Sequence, residues 1–167
     1  MDPKQLIPIV DEKDNLTCYK ERGLVKSKDI YRVSSLCIIN SKNQILLGRR
    51  ALTKTHSPGR WGLSVEGTVE KGETYDSNII KEAEEELGLK KVKLIKGPKV
   101  RVKSIWNYFC QIFYLKLDKK IEEFKIRKEE VEEIRWFPKE EFTKLANEHP
   151  ELFIESVKER MKYFFPS

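Results

Sequence analysis

The order of apolar and polar positions along the chain predicts a succession of strands with few helices. Apolar, β-branched runs bounded by turn residues are typical of buried strands. On this basis we predict strands at 31–40, 44–50, 61–66, 92–95, 105–117 and 134–137. The first two flank a short turn and should form a hairpin. Segments 51–60 and 67–72 are rich in turn-forming residues and are predicted loops, whereas the charged segment 119–133 fits neither class.

Helical spacing is clearest in residues 75–87, after which Gly88 supplies a C-terminal stop. Two further helices are predicted at 139–146 and 150–164. The last has apolar residues three or four positions apart, which favours packing against the core over a partner groove; these are Phe153, Val157, Met161 and Phe164. The pattern predicts a mixed α/β (α+β) domain, to which residues 1–30 add a short extension with a strand or two.

Length and composition restrict the class of protein. The 167 residues suit one domain with a core, and 10% aromatic residues argue against disorder although 36% of residues are charged. No apolar run approaches the roughly 20 residues of a membrane span, and Met1 to Lys4 lacks the features of a signal peptide. We therefore expect a cytoplasmic protein. The net charge of +6 indicates an anionic partner such as a nucleotide, a diphosphate or RNA, without choosing among them.

The chain contains three widely spaced cysteines, Cys18, Cys37 and Cys110. The absence of a C-x-x-C pair argues against a zinc site or a disulfide framework. We expect reduced thiols, as is usual in the cytosol.

The helix at 75–87 carries three carboxylates on one face. At about 100° per residue, Glu82, Glu85 and Glu86 fall within one sector, whereas Glu84 points to the opposite side. Like charges at this spacing repel, and the negative end of the helix dipole disfavours them further. A hard divalent cation would reverse this balance because it prefers clustered carboxylate oxygens. A solvated acidic face is the alternative.

The residues around this helix follow a fixed spacing. Gly67 is followed by five residues, Glu73, seven residues, and then Lys81-Glu82-Ala83-Glu84-Glu85-Glu86-Leu87-Gly88-Leu89. This order resembles the Nudix box at every specified position except one, where Lys81 stands in place of arginine. Flanking segments at 46–50, 58–61 and 134–138 are also similar to the family, so the resemblance covers roughly residues 31–145.

The resemblance implies a MutT-like Nudix hydrolase domain at 31–167, with a mixed β-sheet sandwiched between helices. It implies hydrolysis of a diphosphate bond in a nucleoside diphosphate derivative or a related compound, with Mg²⁺ or Mn²⁺ as cofactor. Glu82, Glu85 and Glu86 would be metal ligands, joined by the main-chain carbonyl of Glu66. Glu82 is also a candidate general base. Some family members use a later glutamate instead, here Glu129 or Glu130, and we favour Glu130.

Four other side chains are expected to support this site. By resemblance, Glu73 pairs with Lys81 and holds the loop on the helix, although lysine cannot form the bidentate pair that arginine forms. Adjacent strand residues face opposite ways, so one arginine at 49–50 should reach the phosphates, and we favour Arg49. Trp106 is a candidate platform for a base. A surface arginine and a packing aromatic are the respective alternatives.

Two other functions remain open at this stage. Residues 10–15 and 31–32 are similar to isopentenyl-diphosphate isomerase, but the segment 61–66 has no cysteine and 105–110 has no glutamate for isomerase chemistry. A non-catalytic nucleotide- or RNA-binding module is the second alternative, although no basic run with interleaved aromatics marks a nucleic-acid surface. We therefore expect a small-molecule diphosphate as partner, no nucleic acid or membrane, and a monomer or homodimer.

Overall fold

A computed structural model of the chain describes residues 4–167, which contain nine strands and three α-helices. Residues 1–3, which enter the expectations for a signal peptide and for the extension at 1–30, lie outside the described part. The strands are β1 (Leu6–Val10), β2 (Leu16–Glu21), β3 (Tyr31–Ile39), β4 (Gln44–Arg50), β5 (Trp61–Leu63), β6 (Val65–Thr68), β7 (Ile95–Lys103), β8 (Asn107–Lys116) and β9 (Val131–Pro138). The helices are α1 (Tyr75–Leu87), α2 (Lys139–Glu148) and α3 (Glu155–Arg160).

Predicted and observed elements differ where pairing between distant segments decides the structure. Helix α1 and strand β4 have the predicted bounds, and β3 ends one residue early. The strand predicted at 92–95 is wrong, because Ile95 begins the longer and mostly exposed β7, which pairs with β8. The strand predicted at 61–66 is divided at the buried Ser64 into β5 and β6.

The single helix predicted at 150–164 is also wrong. A 3₁₀ turn (Pro150–Leu152), α3 and a second 3₁₀ turn (Met161–Tyr163) replace it. Phe153 is extended and bridges to Trp61, and the Ile154 N–H donates to the Trp61 carbonyl at 2.9 Å. This contact with the end of β5 satisfies backbone groups that a continuous helix would have used.

Strand β3 is the centre of the main sheet, whose order is β5-β4-β3-β8-β7. It runs parallel to β8 from the Tyr31–Tyr108 pair to the Ile39–Lys116 pair. The predicted hairpin of β3 and β4 is confined to the pair Ile39–Ile45, because β6 occupies the same edge of β3 at Val33–Leu36. Strand β4 pairs instead with β5 and β9.

Two apolar clusters lie on opposite faces of this sheet. One packs against α1 and contains Leu36 and Ile38, and the other packs against α2 and α3 and contains Cys37 and Ile39. The predicted sheet between helices is therefore confirmed. The apolar residues of the C-terminal segment belong to the second cluster, as predicted; Phe153, Val157 and Phe164 are buried, and Met161 packs at its edge. Among residues 4–167, no helix is long and apolar enough to cross a membrane.

The three thiols are free in the structure. Cys37 and Cys110 are buried, whereas Cys18 is exposed on β2. Burial raises the pKa of both buried thiols.

The hairpin of β1 and β2 is attached to the rest of the structure through the turn at Asp14. Its carboxylate accepts hydrogen bonds from Arg32 Nε at 2.7 Å, Lys99 Nζ at 2.6 Å and Tyr75 Oη at 3.0 Å. Burial alone would raise the pKa of Asp14, but the hydrogen bonds from Lys99 and Arg32 outweigh it and hold that pKa below its usual value.

We predict that Asp14→Asn lowers the free energy of unfolding at pH 7 by about 1–3 kcal/mol, the range for hydrogen bonds to charged groups. A carboxylate with a lowered native pKa stabilises the fold above its unfolded pKa, and this contribution is lost as the pH falls through the native value. Urea unfolding should therefore show a difference from the unsubstituted protein that shrinks below about pH 4. The control is Asp76→Asn, which breaks an exposed pair with Lys96 and should cost less than about 1 kcal/mol. Equal losses in both variants would contradict the role of Asp14.

Candidate active site

Both ends of α1 are fixed locally, which sets the direction of its acidic face. The Ser77 N–H donates to the Thr74 hydroxyl at 3.1 Å, and the Thr74 N–H donates to the Ser77 hydroxyl at 2.9 Å. Gly88 ends the helix in the left-handed region at φ 67°. The apolar side is fully buried against the sheet, through Ile79, Ala83 and Leu87. Rotation of the helix is therefore restricted, and the three carboxylates emerge beside β6.

Strand β6 approaches α1 so closely that a side chain at Gly67 would not fit. A Cβ atom placed there would lie 2.5 Å from Glu82 Cγ and 2.9 Å from Asn78 Oδ1. The missing side chain lets the backbone at 66–68 lie directly against the acidic face of the helix. This explains physically why the spacing of the motif begins with glycine.

The acidic face of α1 forms one side of a pocket of about 730 Å³. Seven of the side chains expected at the site line this pocket: Glu66, Lys81, Glu82, Glu85, Glu86, Trp106 and Glu130. The cations of the lining come from several elements; besides Lys81 they are Arg22, Arg50, Lys54 and Arg127. The pocket thus combines clustered carboxylates with positive side chains.

The carboxylates on α1 are electrostatically unfavourable when no cation is near them. Loss of hydration, followed by the charge of Glu82, raises the pKa of Glu86 well above its usual value, even though part of this side chain remains accessible. The pKa of Glu82 is also raised, mainly by burial and then by Glu85, with Lys81 opposing. Within residues 4–167, no group of three or more His, Cys, Asp or Glu side chains is arranged so that it could hold a metal ion by itself. A cation at these carboxylates would therefore need further oxygen ligands such as waters, which Mg²⁺ usually retains.

Lys81, in the pocket lining, pairs with Glu73, and this pair holds the loop that precedes α1. Lys81 Nζ is 2.6 Å from Glu73 Oε1, while Glu73 Oε2 accepts from the Glu70 N–H and from Asn78 Nδ2, both at 2.9 Å. Burial would raise the pKa of Glu73, but Lys81 and these donors lower it overall. Glu73 Oε2, to which the second N–H of an arginine would donate in a bidentate pair, therefore already accepts from these two donors. Glu73 itself is not among the pocket-lining residues.

The structure places Arg50, rather than Arg49, in the pocket lining. Arg49 Nη2 lies 3.0 Å from Glu133 Oε2, and its guanidinium covers the Trp61 ring. Alternation along β4 accounts for this, because Arg50 shares the face of Leu46, which packs towards α1, whereas Arg49 shares the face of Ile45 and Leu47, which pack towards α2 and α3. Arg50 Nε donates to the His56 carbonyl at 2.9 Å.

Trp106 and Glu130 contribute to the pocket from separate loops. Trp106 meets His56 edge to face, with ring centres 5.6 Å apart, and is partly exposed. Glu130 Oε2 pairs with Lys54 Nζ at 2.6 Å. Glu129 is highly exposed and lies outside the pocket lining.

Sequence reasoning did not single out Arg160, which is fully buried and lies 2.8 Å from Glu66 Oε2. The sequence pattern nevertheless marks Arg160 as unusual. Position 160 falls between Val157 and Phe164 on the apolar stripe of the C-terminal segment. A charged residue on a buried stripe requires a partner.

Comparisons with known proteins show the family and the fold of this chain. Residues 30–155 match the family model described as a NUDIX domain. An uncharacterised Nudix hydrolase from Listeria monocytogenes is 30% identical over 122 residues, which cover 71% of this chain and 70% of the relative. A prenyl-diphosphate phosphatase from Methanosarcina mazei is 36% identical over 85 residues, 50% of this chain and 49% of that relative. A crystal structure of a Deinococcus radiodurans protein has the same fold, with a TM-score of 0.83, 20% identity, and coverage of 96% and 99% of the two chains.

We predict that Glu86→Gln stabilises the protein against urea when divalent cations are removed with EDTA. A carboxylate whose native pKa is raised costs stability as the pH rises from its unfolded pKa towards the native one. The gain should therefore be present at pH 7 and should shrink near pH 4. Glu84→Gln, on the exposed opposite side of α1, is the matched control and should change little. A loss of stability in Glu86→Gln at pH 7 would show that the carboxylate is not strained.

Proposed function

Because the chain belongs to the Nudix family and is a Nudix hydrolase, we propose that it cleaves the diphosphate bond of a nucleoside diphosphate derivative or a related compound with Mg²⁺ or Mn²⁺. The observation that supports this most is the convergence of Glu82, Glu85 and Glu86 on one pocket with cationic side chains. Such a pocket can accept a divalent cation and an anionic diphosphate together. We also propose that the protein acts in the cytoplasm.

The donor set fits a hard divalent cation. Glu82, Glu85, Glu86 and the main-chain carbonyl of Glu66 would hold it, since all of them offer oxygen. When bound, such a cation polarises a phosphate and lowers the pKa of an attacking water. The raised pKa values of Glu82 and Glu86 support this assignment, because a nearby positive charge would relieve their repulsion.

The other pocket residues bind the substrate and accept the proton. Glu130 is our candidate base, since its ion pair with Lys54 engages Oε2 and leaves Oε1 available for a proton. Glu82 on α1 is the alternative base. Arg50 and Lys54 would attract the phosphates from the side facing the carboxylates. Lys81 and Glu73 would act by holding the loop before α1.

The group attached to the diphosphate has two candidate surfaces. Trp106, against His56, offers an aromatic face on which a base can stack. Tyr31, Tyr108 and Ile154 form an apolar part of the lining, which together with the prenyl-diphosphate phosphatase relative supports a prenyl diphosphate as the second candidate. A panel of ADP-ribose, nucleoside triphosphates and geranyl diphosphate with Mg²⁺, followed by phosphate or monophosphate release, would distinguish them.

We predict that Glu85→Gln combined with Glu86→Gln lowers turnover of the best panel substrate at least about a hundredfold while the fold survives. A bound cation contributes several kcal/mol to the transition state, and each ~1.4 kcal/mol is a factor of ten. Circular dichroism would check the fold. The control is Glu84→Gln, which should retain turnover. Unchanged turnover in the double variant would overturn the site assignment.

Isopentenyl diphosphate should not be isomerised. Cys110 is buried against Ser35 and Arg160, at 3.1 and 3.2 Å, and is absent from the pocket lining. Incubation with isopentenyl diphosphate and Mg²⁺ should yield no dimethylallyl isomer by gas chromatography of the released alcohols. Appearance of that isomer at a rate above buffer would establish the isomerase instead.

The structure also weakens the alternative of an RNA-binding module. The basic side chains on β7 are mostly paired with carboxylates: Lys96 with Asp76, Lys99 with Asp14, and Arg101 and Lys103 with Glu12. Their charges are thereby offset locally, so β7 presents little free positive charge to phosphates. These pairs support a small-molecule partner over nucleic acid.

A further inference from the structure

Arg160 is a fully buried cation at the C-terminal end of α3. Its Nη1 lies 2.7 Å from Ser35 Oγ and 2.8 Å from Glu66 Oε2, while Nη2 donates to Ser156 Oγ at 3.0 Å. A buried guanidinium is tolerated only when it is paired and hydrogen-bonded. The contacts therefore connect residue 160, which lies beyond the family match at 30–155, to the strand that begins the motif.

Glu66 lies where this buried network reaches the pocket. Its Oε2 accepts from both Arg160 and the Ser35 hydroxyl, and its backbone pairs with Ser35 across β6 and β3. The next residue, Gly67, lies directly against α1, where an added Cβ atom would be 2.5 Å from Glu82 Cγ. The position of Glu66 thus affects the carboxylates of α1 directly.

The charge of Glu66 would otherwise add to an already acidic wall. Glu66, Glu82, Glu85 and Glu86 all line the pocket. Lys81 is engaged by Glu73 and lies 3.5 Å from Glu82 Oε1. Arg160 offsets Glu66 from beneath, without occupying the pocket itself.

We propose that Arg160 is a positioning residue that acts on the active site through Glu66, whose side-chain charge it neutralises at the edge of the pocket. The inference rests on the proposed function of this pocket. It assigns the C-terminal segment a role in setting the balance between cation affinity and anion affinity. Without Arg160 the pocket gains one unit of net negative charge, so it should bind a cation more tightly and a diphosphate more weakly.

The test is Mn²⁺ binding to the metal-free protein, followed by electron paramagnetic resonance of free Mn²⁺, together with KM of the best panel substrate. In Arg160→Met we expect the Mn²⁺ dissociation constant to fall and KM to rise, each by about threefold to tenfold for one unit charge across a partly screened distance. Damage to the architecture alone would weaken Mn²⁺ binding. A weaker or unchanged Mn²⁺ affinity in Arg160→Met therefore overturns the proposal.

Further variants separate charge from packing. Arg160→Lys retains the charge and should return both constants to within about twofold of the unsubstituted protein. Glu66→Gln combined with Arg160→Met restores the net charge and removes the carboxylate that Arg160→Met leaves unpaired, so it too should approach the unsubstituted values. If Arg160→Met alone does not fold, Glu66→Gln can be compared with this double variant instead. The two differ only in the positive charge of Arg160, so the double variant should bind Mn²⁺ more tightly. Equal affinities would refute the role of Arg160.

Lys20→Met is the matched control. It removes the cation from a pair with the buried Asp29, at 2.7 Å, and lies outside the pocket lining. It should lower stability without moving either constant. If the unsubstituted protein binds no Mn²⁺, the proposed metal site is wrong. If the unsubstituted protein binds Mn²⁺ and turns over substrate, but Arg160→Met does not shift the Mn²⁺ dissociation constant and KM in opposite directions, only the role of Arg160 is wrong.

Discussion

The close approach of β6 to α1 at Gly67 is the constraint on which the site depends. A Cβ atom there would overlap Glu82 and Asn78, so any other residue would displace these two side chains or the strand. With glycine, the backbone at 66–68 lies directly against the acidic face of α1. Strand β6 and the acidic face of α1 therefore meet at this single close contact.

This arrangement gathers like charges against their own repulsion, and the rest of the fold supplies the opposing forces. The buried apolar side of α1 holds the helix in place through Ile79, Ala83 and Leu87. The pair of Lys81 and Glu73, aided by Asn78, holds the preceding loop. Burial and mutual repulsion nevertheless raise the pKa of Glu82 and Glu86, so their charged forms still cost the protein stability.

The sheet determines which other side chains reach the site. Strand β3 pairs with β6 on one edge and β8 on the other, so Ser35, Glu66 and Cys110 become neighbours although they are distant in the chain. Arg160 enters this cluster from the C-terminal segment, 94 positions after Glu66. The second helical layer therefore does more than cover the apolar face of the sheet, because it brings a buried charge to the edge of the pocket.

Local spacing in the sequence was sufficient for α1, its capping glycine, the common face of Glu82, Glu85 and Glu86, and the family to which they belong. These features depend on residues close together in the chain, where helical geometry leaves little freedom. Pairing between distant segments decided what spacing did not show. Packing placed Arg50 rather than Arg49 on the side of β4 that faces α1 and the pocket, and the contact of Ile154 with Trp61 interrupted the predicted last helix. The ion pair of Arg160 with Glu66 likewise forms only because tertiary packing buries Arg160, whose charge then requires a partner.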